Sequence, residues 1–182
     1  MIFDLAIIFT FQTLYGYLYY QIGLLVTIFM VGVALSGYSI TRRLDRIERD
    51  ASLLLVSEFF LICFSLLLPF VFLVPSRYIE KQVVSVLLYA IFLMMSFLSG
   101  VLIGLQFPLA TKIHLRISGG EESIGRTAGL LYGADLLGGY FGGLIGGVLL
   151  LPILGLKESC FILAMIKGSS FFLFFLFKKV HR

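Results

Sequence analysis

Asp4, Glu58, Asp135 and Lys167 stand inside long apolar runs, where an ionisable side chain is out of place. A charge at mid-membrane depth costs at least ~2.5 kcal/mol on insertion scales, so such groups turn inward and find partners. The chemistry open to them is an ion pair, a proton acceptor or a seat for a charged solute. At about 1.5 Å rise per residue, Asp135 falls roughly 14 Å from the inner end of its run. Lys167 falls roughly 12 Å from the outer end of the next, so both lie near the middle of a ~30 Å hydrocarbon core. The spacing predicts an Asp135–Lys167 pair across one hairpin, either a static ion pair or a proton or substrate site. Glu58 lies nearer the cytoplasmic side and offers a second partner.

Around Asp135 the chain is rich in glycine. Gly138, Gly142 and Gly146 recur every fourth residue; Gly139, Gly143 and Gly147 form an adjacent row, and Gly129 and Gly133 a further pair. Residues four apart share a helix face, so these rows make a groove without side chains. Lipid gives little hydrophobic drive between helices, and close approach through small residues replaces it. The groove is read as a helix–helix contact or as a flexible element that moves in a transport cycle. A second polar cluster, Tyr15, Tyr17, Tyr19 and Tyr20 with Gln12 and Gln21 around Gly16, reads as an interfacial belt or a ligand-facing turn.

The elements that must position these residues are membrane helices. The chain is 60% hydrophobic and 13% charged, with a mean hydropathy of +1.07. A soluble domain is about half apolar and a quarter charged. The excess lies in runs near the ~20 residues that cross a bilayer. Spans are predicted at about 2–16, 20–40, 52–74, 83–107, 126–151 and 159–177, as a single transmembrane domain over 1–182. The first is short for a crossing and reads as a tilted half-span or as the end of a longer run. Pro75, Pro108 and Pro152 are expected at or just past helix ends, and Pro69 to kink the third span.

The formal charge of +4 does not indicate nucleic acid, because the basic residues alternate between loops. Arg42, Arg43, Arg46 and Arg49, then Lys112, Arg116 and Arg126, then Lys178, Lys179 and Arg182 fall on one side. Arg77, Lys81 and Lys157 fall on the other, which predicts both termini in the cytoplasm. Cys63 and Cys160 lie within apolar runs with no metal-site spacing, and His114 and His181 stand far apart. There is no HExxH, no nucleotide loop and no Walker sequence, and "KGSS" at 167–170 lacks the upstream glycine. The expectation is no enzyme, no cofactor and no metal.

Three stretches together carry a resemblance. "FQTLYGYLYYQIGLLVTIFMVGVALSG" (11–37), "GVLIGLQFPLA" (100–110) and "GRTAGLLYGADLLGGYFGGLIGGVLLLPILGL" (125–156) resemble the membrane portion of spermidine synthase-like proteins. Those are bacterial proteins in which helices similar to half of a major facilitator superfamily transporter accompany an aminopropyltransferase domain. The resemblance is sharpest at QFPLA, Tyr132, Asp135 and Pro152–Gly155, and Asp4 falls where the family tends to have a membrane-embedded Glu. "LDRIERD" (44–50) is similar to the facilitator loop Asp-Arg-x-Gly-Arg through Asp45, Arg46 and Arg49. Glu48 and Thr41 replace its glycines, so the gating role of that loop is set against a plain basic cytoplasmic loop. The glycine-rich donor site and acceptor carboxylates of the aminopropyltransferase domain are absent, so polyamine synthesis is not expected of this chain.

The resemblance implies an all-α bundle of about six membrane spans in the bacterial inner membrane, one half of a parent of about twelve helices. It implies a half-transporter for a small solute or polyamine, completed by a homodimer or a second membrane subunit, with an aminopropyltransferase-like chain as a further partner. The rival expectation is an anchor or assembly subunit that packs on a partner through its glycine-rich helix.

Overall fold

The computed structural model describes residues 2–16, 19–43, 50–71, 82–117 and 124–180. Its helices are α1 (Ile2–Tyr15), α2 (Tyr19–Arg43), α3 (Asp50–Val71), α4 (Gln82–Ile117), α5 (Ile124–Leu144) and α6 (Leu156–Val180). A π-helical stretch, Ile145–Leu154, continues α5 towards α6. Among the described residues, five helical runs are long and apolar enough to cross a membrane. α1, with 14 residues, reaches only ~21 Å and does not. The outer faces are apolar, with Phe59, Phe60, Leu67 and Phe70 exposed on α3. Such surfaces are solvated by hydrocarbon rather than water. The chain is therefore an all-helical integral membrane protein.

Two helices outrun their predicted ends. α4 continues through Pro108 to Ile117, and the π-helical stretch includes Pro152. Pro69 lies inside α3, which extends past it to Val71. Membrane helices tolerate an internal proline because neighbouring helices and side chains re-satisfy the backbone. The π-helical stretch, with its i→i+5 bonds, ends at Gly155, whose φ of 84° strains any residue with a Cβ. Gly16, with φ of 81°, makes the corresponding turn between α1 and α2, and its N–H donates to the Gln12 carbonyl at 2.9 Å.

The tightest packing is between α2 and α4. A Cβ on Gly32 would lie 2.5 Å from the Phe97 carbonyl oxygen. One on Gly100 would collide with the Phe29 carbonyl, and one on Gly104 with the Ser36 hydroxyl. The backbones therefore touch, through Gly32 and Ser36 on one helix and Gly100 and Gly104 on the other, a spacing of small residues that drives membrane helices together. Serine hydroxyls add hydrogen bonds between helices: Ser96 donates to the Leu25 carbonyl at 2.9 Å and Ser65 to that of Cys160 at 2.8 Å.

α1 supplies the middle of the core. Ala6, Ile7 and Phe11 are fully buried against Leu25, Leu68 and Phe92, with Phe11 edge-on to Phe92 at 5.6 Å. Tyr15 stacks on Phe11 at 4.8 Å and donates its hydroxyl to the Ser85 carbonyl at 2.6 Å. It therefore belongs to the core, whereas Tyr19 and Tyr20 are exposed as a belt requires. Tyr17 lies outside the described residues.

Candidate functional site

The intramembrane charges do not pair as their sequence positions suggest. Lys167 Nζ lies 3.1 Å from Glu58 Oε1, joining α6 to α3. The same oxygen accepts from Gln106 Nε2 on α4 at 2.9 Å. Glu58 Oε2 is buried with no hydrogen-bond partner among the described residues. The predicted Asp135–Lys167 pair is not formed. That pairing supposes that α5 and α6 pack as a hairpin because they adjoin in sequence. Instead the π-helical stretch and the turn at Gly155 redirect the chain, and α6 packs chiefly on α3. Glu58, expected as a secondary partner, is the group that Lys167 meets.

Asp135 faces elsewhere. It is exposed on α5, forms no hydrogen bond or ion pair among the described residues, and lines a cavity of about 530 Å³ between α2, α4 and α5. Thr41, Gln106 and Tyr132 share that wall, and Gly37 and Gly104 lie beside the close α2–α4 approach. Missing side chains at the glycines help keep this space open. Gln106 thus touches both features: its nitrogen holds the Glu58 carboxylate, and its side chain borders the cavity.

Asp4 is buried in α1, and its Oδ1 has no hydrogen-bond partner among the described residues. A further cluster, unforeseen, closes one end of the bundle. Asp50, buried at the start of α3, meets Lys112 at 3.0 Å and Arg116 at 3.2 Å on the last turns of α4. A carboxylate at a helix N-terminus and cations at a C-terminus also complement the two helix dipoles. In the sequence these were loop charges, and the acid's position ahead of an apolar run was the available signal. Gln106 gave a signal too, as an amide inside an apolar run that needs a partner. The facilitator-like residues Asp45, Arg46 and Arg49 lie outside the described residues.

The glycine rows divide. A Cβ on Gly146 would press on Ile2 at 2.8 Å, and one on Gly147 would meet Leu5 at 3.5 Å, so α1 covers this end. A Cβ on Gly138 or Gly143 would meet nothing within 4 Å, and the same holds at Gly129 and Gly133. Gly139 and Gly142 are half-buried.

Fold and site together define a helical membrane protein with a half-buried acid–amide–lysine cluster beside an open cavity between helices. No protein-family model matches the chain, nor does any curated protein or solved structure.

Proposed function

We propose that the chain is the membrane module of a solute carrier, one half of a pathway completed by a second copy or a second membrane subunit. The observation that carries this reading is Gln106, which joins the Glu58–Lys167 pair to the cavity that Asp135 lines. Intramembrane ionisable groups are costly, pair with one another and mark solute and ion paths. The similarity of 11–37, 100–110 and 125–156 to the membrane portion of spermidine synthase-like proteins supports a facilitator-type half, with an aminopropyltransferase-like chain as a candidate associate. The alternating loop charges support a cytoplasmic C-terminus, and the same similarity supports the bacterial inner membrane as the location.

The test is uptake of a panel of labelled small solutes by proteoliposomes holding the full chain under an imposed pH gradient. At least one solute accumulates above empty vesicles, and Glu58→Gln lowers its rate while the protein remains folded. Uptake that never exceeds that of empty vesicles refutes the reading. A second reading, a non-transporting assembly subunit, draws on the uncovered Gly138 and Gly143. It predicts loss of a co-purifying membrane subunit in Gly138→Leu and no effect of Glu58→Gln.

A further inference from the structure

We propose that a second cavity, between α1 and the turn at Gly155, seats the headgroup of a bilayer phospholipid that carries a primary ammonium. Its phosphate lies on Lys157 and its ammonium on Glu158. The site shares no residue with the cavity that Asp135 lines and does not depend on transport. It measures about 420 Å³, between Phe9 and Thr13 of α1, Leu151 of the π-helical stretch, and Leu156, Lys157 and Glu158 on the first turn of α6.

The position fits a lipid. Gly155 separates two apolar runs long enough to cross a membrane, Gly125–Leu154 and Leu156–Leu176, so the turn marks one face of the hydrocarbon slab. The turn after α1 lies at the same end: Tyr19 and Tyr20 beyond it are exposed, as tyrosines at headgroup level are. Phe9 precedes Tyr15, the last residue of α1, by six positions, which at about 1.5 Å each sets it roughly 9 Å deeper. The space therefore has charges at its rim and hydrocarbon, from Phe9, Leu151 and Leu156, below them. A small polar solute uses only the rim, whereas a phospholipid has a part for each.

The charges name the head. Lys157 and Glu158 are exposed, and neither side chain forms an ion pair or hydrogen bond among the described residues. Glu158 Oε2 would lie 3.4 Å from a Cβ on Gly155, so the carboxylate turns back over a residue that itself lines the cavity. The Thr13 hydroxyl donates to the Phe9 carbonyl at 2.8 Å, which leaves its oxygen as a further acceptor. Opposite charges side by side match a head that is itself a dipole, through charge-assisted hydrogen bonds at both of its ends. A purely anionic head meets the Glu158 carboxylate as a like charge. A choline head has no N–H to donate to it.

The test is native mass spectrometry of the full chain, released from micelles charged with equal amounts of phosphatidylethanolamine, phosphatidylglycerol and phosphatidylcholine of the same acyl chains. Phosphatidylethanolamine is expected to be retained about fivefold or more over the other two, since its head alone makes charged hydrogen bonds at both ends. Lys157→Gln and Glu158→Gln each remove that preference, and because both positions are exposed the melting temperature in lipid-free micelles persists. Thr13→Phe puts a ring into the cavity and removes the preference with both charges intact. Equal retention of the three lipids by the unaltered chain overturns the proposal, as does a preference that survives these variants. Stronger retention of phosphatidylglycerol also overturns it, because the site is then a plain seat for anions. So does displacement of the lipid by an equal concentration of O-phosphoethanolamine, since the hydrocarbon then contributes nothing.

Discussion

Two regions of this protein are rich in small residues, and they are used differently. At the α2–α4 crossing, Gly32, Gly100 and Gly104 lie so close to the opposite backbone that a single added methyl group collides with a carbonyl or hydroxyl. On α5, Gly138 and Gly143 look onto open space, whereas in the π-helical stretch α1 meets Gly146 and Gly147. Composition favours α5, while contact favours the crossing. A glycine stripe is thus a permission for close approach, and whether a helix takes it depends on what the chain brings opposite. Ile2 and Leu5 reach Gly146 and Gly147, and Phe9 and Thr13 lie by Leu151 and Gly155. α1 therefore runs alongside the π-helical stretch and leaves Gly138 and Gly143 uncovered.

The comparison can be broken most sharply at Gly100. Gly100→Leu is expected to destabilise the protein by about 3 kcal/mol or more, because the obstacle is backbone that cannot change rotamer. Unfolding in mixed detergent micelles measures it, and a wild-type midpoint would show that the helices are not in backbone contact. Next in size is the buried pair. Lys167→Met leaves the Glu58 carboxylate with Gln106 alone and should cost about 2 kcal/mol, part of which returns in the double variant Glu58→Gln/Lys167→Met. Strictly additive losses in that cycle would mean the two groups do not interact. Smallest of all, Gly138→Leu or Gly143→Leu should move the stability of the isolated chain by less than about 0.5 kcal/mol. Cross-linking then sharpens the contrast: a change of oligomeric state without a change in stability marks the open row as a surface for another chain.

The spans were legible because a ~30 Å apolar slab imposes a length that composition records directly. Five of the helical runs in the described residues have that length and character, and α1 is short as its apolar run foretold. The polar site was only partly legible. Burial cost singles out Glu58, Lys167, Asp135 and Asp4, yet it cannot say which charge faces which. That depends on how the chain turns at Gly155 and on the order in which helices pack. The α2–α4 contact left a short signal, Gly100 and Gly104 four residues apart with Gly32 and Ser36 likewise, which the denser glycines of α5 overshadowed. Pro108 misled because a rule learned in water ends the helix there. In a bilayer the cost of freeing the backbone on leaving the helix exceeds that of one missing N–H.

Glu58 differs from Asp50 in a related way. Asp50 has a separate cation beside each of its oxygens, although Oδ2 makes no hydrogen bond among the described residues, whereas Glu58 gathers both donors on one oxygen and leaves the other without a hydrogen bond there too. The first arrangement spreads two cations over the carboxylate, and the second concentrates its donors on one oxygen beside Gln106.

The α2–α4 crossing also has a mechanical meaning. Packed side chains act as a bearing, since they can exchange rotamers while one helix slips along another. Where Gly32, Gly100 and Gly104 bring backbone onto backbone, that compliant layer is gone. The two helices are welded into one beam, and bending or rocking of the bundle is left to the joints around it.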